Sequence, residues 1–462
     1  METKMDPSHG QAIVIGGGIS GLLAARVLSD FYDNVTVVEK DRLYNDHEPR
    51  RGVPQGRHAH GLLAGGLLVI ENLFPGISQE LINSGAVPAD PLNDGTWFFE
   101  GGPLKRNPSG ATALMMSRPL LESTIRRRVR ALANVGFVEN SPVRELLSRD
   151  GRVTGIRTDL APIEADLVVD ASGRGSHAPR WLAELGFMSP QEDRVNIHLT
   201  YTTRFFRRGP QASDDSFAVI PSTPTGKRGG VVLAQEDNRW VVTLFGHFGS
   251  EARPDLGGFL AYAKSLPSSV IYDTIRNAVP LDEGTMMRFP TSIRHRYERL
   301  DRFPEGFLVF GDAICCFNPV YAQGMSVAAL QAKALSEELA ENRADLAFRF
   351  FEKASNIIDN PWNIAVGGDL RMPETKERLT LGMRLMNGYL TLLHRHAHRD
   401  AQAASVFLRV AQLLEKPKAL MSPGIALRVL FGTLLPRRIG MPKQQFPVKP
   451  CETLPSMHTS VG

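Results

Sequence analysis

Cysteine is scarce in this sequence, with three residues among 462, and two of them, Cys315 and Cys316, are adjacent. Three cysteines cannot build a disulfide framework, and neighbouring cysteines rarely pair without strain, so we expect these two to pack as small side chains in a turn. The polar first ten residues lack the apolar segment of a secretory signal. Together these absences predict a cytoplasmic protein in a reducing compartment.

The sequence also lacks a strong charge of either sign, because 53 Lys and Arg residues stand against 49 Asp and Glu residues and leave a net charge of +4. Over this length the excess does not favour a nucleic-acid partner. No apolar run reaches the ~18 residues that a membrane-spanning helix needs. The hydrophobic content of 42% is sufficient for a large core, and the length favours roughly two or three domains.

A glycine-rich motif near the N-terminus is the first positive signal. An apolar run at 12–15 predicts a buried strand, and the pattern G-x-G-x-x-G follows it as Gly16, Gly18 and Gly21, before a helical periodicity. Gly16 permits a tight turn, Gly18 lets a pyrophosphate approach the backbone, and Gly21 lets the helix pack on the strand. Glu39 ends the next apolar strand, where a carboxylate would accept hydrogen bonds from a ribose. The combination predicts dinucleotide binding.

Two further motifs repeat the order of buried strand and turn. The strand at 165–169 ends in a turn rich in Gly and Ser at 170–176, and no second complete nucleotide-binding unit follows it. The strand at 306–310 ends at Gly311 and Asp312, and a helix is expected from about 327 to 342. The third motif therefore predicts a second segment that faces the cofactor.

The rest of the chain divides into strands and then helices. Alternating segments at 196–203, 230–234 and 239–245 predict an antiparallel sheet inserted into the nucleotide-binding domain. Helical periodicity prevails from about 344 to 435, and the polar, proline-containing end is expected to be loosely held. Aromatic residues on the sheet would suit an apolar pocket or a packed core equally well: Phe205, Phe206, Phe217, Trp240 and Phe245.

The three motifs, in this order, resemble those of flavin-dependent monooxygenases of the aromatic-hydroxylase superfamily. The segments 51–60, 170–176 and 317–321 resemble in sequence the corresponding segments of bacterial polyether-pathway polyene epoxidases and of squalene-epoxidase-like enzymes. The resemblance implies an α/β fold with an FAD-binding Rossmann-like domain of the glutathione-reductase type, an inserted, mostly antiparallel β-sheet substrate domain and a C-terminal helical region. The implied segments are 1–90, 110–190 and 285–343 for the FAD-binding domain, 91–109 and 191–284 for the substrate-domain sheet, 344–440 for the helical region and 441–462 for a flexible tail.

The resemblance also implies residue roles. In that superfamily the glycine-rich loop binds the FAD pyrophosphate, and the pair found here as Gly311 and Asp312 meets the ribityl chain. Backbone N–H groups at Gly324 and Met325 are expected to stabilise negative charge on the flavin, and Pro319 is expected to form a wall of the oxygen site. No side chain is expected to act as an acid or base. The expected FAD contacts are Gly16, Gly18, Gly21, Glu39, Arg51, Gln55, Arg118, Gly311, Asp312, Gly324 and Met325.

Three of these expected contacts have a plain alternative. Arg118 opens a predicted helix, where an arginine also occurs as a surface residue. Arg51 and Gln55 lie in a segment that could equally be a solvated loop.

The implied activity is that of an FAD-dependent monooxygenase. It would insert one oxygen atom from O2 into a hydrophobic small molecule, by epoxidation or hydroxylation, through a flavin C4a-hydroperoxide. Electrons would come from NADPH or NADH, directly or through a flavin reductase. The alternatives are an FAD-dependent reductase of isoprenoid double bonds, a flavin halogenase, although the W-x-W-x-I-P motif is missing from the sequence, and a flavoprotein without turnover.

Two features near the C-terminus remain to be explained. His394, His396 and His398 crowd one predicted helix, and the neighbouring arginines favour a solvated face over a metal site. The segment from Lys416 to Cys451 carries seven bases and no acid, and it includes an apolar run at 425–435. This segment predicts either a core-packing last helix with a basic end or a peripheral contact with a membrane.

Overall fold

The computed structural model of the protein describes residues 10–43, 52–209, 214–341, 344–375 and 379–434. The strands are β1 Gln11–Ile15, β2 Asn34–Val38, β3 Val87–Ala89, β4 Gly95–Phe99, β5 Gly102–Pro103, β6 Ala113–Met115, β7 Val135–Val138, β8 Val143–Arg149, β9 Arg152–Thr158, β10 Pro162–Glu164, β11 Leu167–Asp170, β12 Glu192–Arg207, β13 Phe217–Ile220, β14 Arg228–Gln235, β15 Arg239–His247, β16 Thr285–His295, β17 Phe307–Val309 and β18 Cys315–Cys316. The helices are α1 Ile19–Leu28, α2 Ala64–Leu73, α3 Ile77–Asn83, α4 Arg118–Arg130, α5 Ala178–Glu184, α6 Leu256–Lys264, α7 Val270–Ile275, α8 Gly324–Glu341, α9 Leu346–Asp369, α10 Leu381–Ala397, α11 Ala401–Ala411 and α12 Pro423–Leu434.

A parallel sheet forms the centre of the nucleotide-binding region, with the strand order β17-β11-β1-β2-β7. Its inner strands are short apolar runs because helices cover both faces of such a sheet. In β1, Ile13 pairs with Thr36 of β2 on one side and with Val168 of β11 on the other. This arrangement confirms the α/β fold, and it brings the three strands that precede the three sequence motifs side by side at the same edge.

An eight-stranded sheet with the order β18-β16-β12-β15-β14-β13-β4-β5 forms the second layer. Its pairs are antiparallel except for β13 with β4, which run parallel. The sheet extends beyond the segments 91–109 and 191–284 that the sequence assigns to it, since Thr285–His295 and Cys315–Cys316 pair with it. Cys315 and Cys316 are buried free thiols, as expected of packed small side chains.

The two faces of this sheet have different roles. Phe206 and Trp240 are directly opposite each other on β12 and β15, and both are buried under α6 and α7. Phe217 and Phe245 lie on the other face and line a cavity. Because side chains alternate along a strand, neighbouring aromatics in the sequence reach opposite faces, and Phe205 points away from Phe206.

The C-terminal region is helical, as the sequence predicts. α8 and α9 pack against the nucleotide-binding region, and α10 to α12 enclose a separate apolar cluster that includes Leu393, Leu408 and Val429. The last helix has two different faces, since Val429 is buried while Phe431 is exposed. None of the described helices is both long and apolar enough to cross a bilayer. The basic residues beyond 434 and the predicted flexible tail at 441–462 lie outside the described residues.

Candidate active site

A single large cavity of about 970 Å³ runs between the parallel sheet, the eight-stranded sheet and the C-terminal helices. One end is formed by the loops that follow β1, β2 and β11. The other end is apolar and aromatic, with Trp97, Phe99, Leu390, Phe407 and Leu420 in its wall. The size and the largely apolar lining are those of a cofactor or substrate site.

The glycine-rich loop has the geometry that its sequence predicts. Gly16 has φ +103°, a conformation that favours glycine, and its N–H donates to the carbonyl oxygen of Val38 at 2.8 Å. A Cβ on Gly21 would lie 1.8 Å from the carbonyl oxygen of Gly16, so helix α1 can only approach the loop this closely with glycine there. Gly16 and Gly18 both line the cavity. The loop therefore presents backbone and the start of a helix to the cavity, which suits a phosphate group.

Glu39 is buried at the end of β2 and lines the same end of the cavity. Its Oε2 accepts the N–H of Gly17 at 2.8 Å, and its Oε1 accepts the N–H of Asp41 at 3.1 Å. The carboxylate thus holds the glycine loop in place. The ribose contact of Glu39 stays a prediction.

Arg118 and Asp312 both line the cavity. Arg118 opens α4, its Nε lies 3.4 Å from Oε2 of Glu122, and it lines the cavity. Burial raises the pKa of Asp312, while the charges of Arg118 and Arg174 act in the opposite direction. The structure therefore places Arg118 in the cavity wall and not on the surface.

Helix α8 begins beside Asp312. A Cβ on Gly324 would lie 3.5 Å from Oδ1 of Asp312, so the first turn of the helix points its free N–H groups at this part of the cavity. Gly311 has φ +70°, and its N–H donates to Oε1 of Gln331 at 2.8 Å. Both Gly324 and Met325 line the cavity. The Gly-Asp motif and the helix start thus form one continuous surface.

The loop before α8 is supported by a buried carboxylate that the sequence did not single out. Pro319 is exposed to the cavity, in the short turn Pro319–Tyr321. Behind it, Asn318 Nδ2 donates to Oδ1 of Asp369 at 2.8 Å, and the hydroxyl of Tyr321 lies 3.5 Å from the same oxygen. Burial raises the pKa of Asp369 to about 7. This carboxyl group at the end of α9 fixes the turn that carries Pro319.

The second of the three motifs, the middle motif at 165–176, contains a turn that its own side chains stabilise. Oδ1 of Asp170 accepts the N–H and the hydroxyl of Ser172 at 2.9 and 2.5 Å, and Oδ2 accepts the hydroxyl of Ser176 at 2.6 Å. Asp170 is fully buried, and burial raises its pKa. Ser172, Gly173 and Arg174 line the cavity instead. The carboxylate of Asp170 therefore stabilises the turn, and the residues after it face the cavity.

The segment that follows β2 is only partly described. Arg51 lies outside the described residues. Gln55, in the turn Pro54–Arg57, lines the cavity, as do His58 and His60 just after it. Burial lowers the pKa of His58 to about 4 and that of His60 to about 3, so both imidazoles are neutral near pH 7.

The expectation that the histidines of α10 share a solvated face is wrong for His394. It is 8% exposed and lies between the rings of Phe99 and Phe407, with ring centroids 4.6 and 4.4 Å away. Its neighbours are held by other partners, since His398 Nε2 bonds to the carbonyl oxygen of Phe99 at 2.8 Å and His396 lies beside Asp400. Among the described residues no group of three or more His, Cys, Asp and Glu side chains could hold a metal ion.

The fold is that of flavin-dependent monooxygenases and halogenases. PqsL, a probable FAD-dependent monooxygenase from Pseudomonas aeruginosa, superposes with a TM-score of 0.60 at 17% identity, over 79% of this chain and 98% of that one. The flavin-dependent brominase Bmp2 superposes with a TM-score of 0.66 at 14% identity, over 92% of this chain and 99% of that one.

Sequence comparison adds a nearer relative. The chain belongs to the same family as protein Rv3254 of Mycobacterium tuberculosis, with which it shares 34% identity over 427 residues, 87% of this chain and 90% of that protein. The chloroplastic zeaxanthin epoxidase of Oryza sativa subsp. japonica is 26% identical over 170 residues, 35% of this chain and 25% of the enzyme. No model of a protein family matches the sequence.

Proposed function

We propose that the protein is an FAD-dependent monooxygenase that transfers one oxygen atom from O2 to a hydrophobic small molecule, by epoxidation or hydroxylation. The observation that carries the proposal is the single cavity, in which a dinucleotide cradle at one end continues into an apolar chamber at the other. Such a cavity lets a flavin ring meet a lipophilic substrate away from water. The partial likeness to zeaxanthin epoxidase supports the epoxidation of an alkene or polyene.

The residues present fit FAD. The backbone at Gly16 and Gly18 lines the cavity and would approach a pyrophosphate, and Glu39, which lines the same cavity, would bind a ribose hydroxyl. FAD, when bound, supplies the redox chemistry and the activation of O2. Arg118 and Asp312 would hold the middle of the cofactor, because both line the cavity and the charge of Arg118 acts on the Asp312 carboxyl.

The protein itself would supply position and electrostatics. The start of α8, with the N–H groups near Gly324 and Met325, carries a partial positive charge that stabilises an anionic group beside it. Pro319 would close one side of the reacting site without offering a proton. Apolar side chains from the eight-stranded sheet, such as Phe245 and Phe289, would keep water away from the substrate.

The electron donor is proposed to be NADPH or NADH, acting directly or through a flavin reductase. The turn at Ser172, Gly173 and Arg174 reaches the cavity from the middle motif and is the proposed approach for the nicotinamide. The described residues contain one glycine-rich unit between parallel strands with an acid after it. A transient nicotinamide contact or an external reductase is therefore the proposed route.

Anaerobic mixing of the yellow protein with NADPH, and separately with NADH, tests the function. We expect loss of oxidised-flavin absorbance with one of the two, followed by O2 consumption that a lipophilic alkene stimulates. Bleaching by dithionite alone would assign the reduction step to a partner reductase. A purified protein that binds no FAD would overturn the proposal.

Halogenation is the second candidate, because the superposition with the brominase Bmp2 spans 92% of this chain. The same reaction mixture distinguishes it. An oxygenated product formed without halide supports the monooxygenase, whereas a product that requires bromide or chloride supports the halogenase. A saturated product formed without O2 would identify a reductase of isoprenoid double bonds.

We also propose that helices α10 and α12 rest on an anionic lipid surface. The two helices contact each other, and the sequence around α12 is basic without acids from Lys416 to Cys451. Their large exposed apolar side chains are Leu381, Leu385, Met386, Leu427, Leu430 and Phe431.

Replacing Leu430 and Phe431 together by serine should weaken partition onto anionic liposomes by about tenfold or more, because exposed apolar side chains contribute to interfacial binding in proportion to their buried area. Liposome pelleting measures the effect. The control is Leu160→Ser, which changes a still more exposed leucine in the turn between β9 and β10. Equal pelleting of all three proteins would contradict the membrane contact.

A further inference from the structure

His58 has one ring nitrogen bonded and the other without a partner. Its side chain is 4% exposed and follows the turn Pro54–Arg57. Nδ1 lies 2.8 Å from Oγ1 of Thr203, whereas Nε2 is buried and has no hydrogen-bond partner among the described residues. The ring lines the cavity. A buried polar atom without a partner in a cavity wall points to a group that is present only when the cavity is filled.

A chain of hydrogen bonds sets the tautomer of this imidazole. The N–H of Ala59 can only donate, and it donates to Oγ1 of Thr243 at 3.0 Å. Thr243 Oγ1 lies 2.6 Å from Oγ1 of Thr203, its directly paired residue on β12. Each of the two threonine hydroxyls has one hydrogen to donate. If both hydrogens are used within this series of hydrogen bonds, Thr243 donates to Thr203 and Thr203 donates to Nδ1 of His58. Nδ1 is then the acceptor.

The same series of hydrogen bonds places the ring hydrogen of His58 on Nε2. Burial and the nearby Arg57 lower the pKa of His58 to about 4, so the ring carries a single hydrogen near pH 7. With Nδ1 accepting from Thr203, that hydrogen is on Nε2. If the hydrogen bonds ran in the opposite direction, Nδ1 of His58 would be the donor, and the hydroxyl hydrogen of Thr243 would have no acceptor within this series of hydrogen bonds. His58 therefore presents a neutral N–H donor.

We propose that the Nε2–H of His58 is a specificity-determining donor that binds an acceptor oxygen, of the carbonyl type, on the molecule that fills the cavity. The inference rests on the proposed function, since the acceptor belongs either to the substrate or to the flavin. The threonine pair is the positioning element, because it fixes which nitrogen carries the hydrogen. A ligand without an acceptor leaves this buried donor unpaired, and it should bind roughly tenfold more weakly than one that has it.

Two variants separate the two nitrogens of the ring. His58→Asn keeps a polar group near the Nδ1 position and removes the donor at Nε2, whereas His58→Gln keeps an N–H near the Nε2 position. The control is His247→Asn, since His247 is an equally buried histidine whose two nitrogens have partners, Ser222 Oγ and the carbonyl oxygen of Ile197, each at 3.2 Å. All variants are purified as the FAD-loaded full chain.

Equilibrium dialysis with menadione and with 2-methylnaphthalene tests the substrate as the source of the oxygen, because the two probes share one carbon skeleton and only menadione carries carbonyl acceptors. We expect the wild type, His58→Gln and His247→Asn to prefer menadione by about tenfold, and His58→Asn to lose the preference. Titration of the apoproteins with FAD tests the flavin as the source. There, a roughly tenfold weaker FAD affinity confined to His58→Asn would assign the acceptor to the cofactor.

A third measurement is independent of any ligand. Ring nitrogen shifts of ¹⁵N-histidine-labelled protein should show His58 as the Nε2–H tautomer, and Thr203→Val should yield a mixture of tautomers. An Nδ1–H tautomer in the wild type, or unchanged probe preference and FAD affinity in His58→Asn, would overturn the inference. Absence of FAD binding in the wild type would instead overturn the proposed function.

Discussion

Replacing Gly21 with alanine is expected to remove most of the bound FAD and to lower stability. The added Cβ would lie 1.8 Å from the carbonyl oxygen of Gly16 and 3.3 Å from Cγ1 of Val14. The first of these atoms is backbone and cannot rotate away, so α1 or the glycine loop must shift. Overpacking of this kind costs about 1–3 kcal/mol. A displaced loop would also misplace the N–H groups that face the pyrophosphate.

Flavin content per protein and the thermal midpoint measure this effect. We expect flavin retention to fall at least tenfold, since about 1.4 kcal/mol corresponds to a tenfold change in binding. The matched control is Gly136→Ala in β7 of the same sheet, where a Cβ would meet no atom within 4 Å. If Gly21→Ala retained its flavin as well as Gly136→Ala does, the close approach of helix and loop would not matter for the cofactor.

Replacing Asp369 with asparagine is expected to stabilise the protein at pH 8 and to do so by less than half as much at pH 5. Burial raises the pKa of Asp369 from 3.8 to about 7, so the carboxyl is protonated in the folded chain at pH values where it is ionised in the unfolded chain. Its contribution to stability is full below pH 3.8 and is lost as the pH rises through about 7. A neutral amide at this position would remove that loss.

The size of the effect follows from the two pKa values. The interval from 3.8 to about 7 corresponds to about 4 kcal/mol of unfolding free energy in the wild type. Thermal unfolding at the two pH values measures it, with Asp301→Asn, a change at an exposed carboxylate, as the control. A midpoint for Asp369→Asn that is unchanged or lower at pH 8 would show that the ionised carboxylate is needed to hold Asn318 and Tyr321.

The local parts of the candidate site could be predicted because their physics is local. The roles of Gly16 and Gly21 follow from six residues between a strand and a helix, and the structure places both as the motif requires. Glu39 follows the next strand at the usual distance, and Arg118 opens its helix as expected. In such segments the positions of the site residues depend on the local backbone conformation and on where a strand ends. Both are determined by residues that are neighbours in the sequence.

Other features depend on which faces are covered. The alternation of Phe205 and Phe206 shows that their side chains separate, but only the packing of α6 and α7 decides that Phe206 enters a core. The arginines beside His394 in the sequence predict a solvated position. In the structure, however, Phe99 and Phe407, which are distant in sequence, pack against both sides of its ring. Whether a helix side chain is buried depends on which other elements pack against it, and the periodicity of the helix sequence does not identify those elements.

By itself the sequence determined the strand–turn–helix motifs, the α/β class, the inserted sheet and the helical C-terminal region, because these follow from patterns a few residues long. Only the tertiary structure joined the cradle and the apolar chamber into one cavity. It alone placed Thr203 and Thr243 against His58, and Asp369 beneath the turn of Pro319. Hydrogen bonds between residues so far apart in sequence form only when the packed sheets and helices bring them together, and burial then sets their protonation.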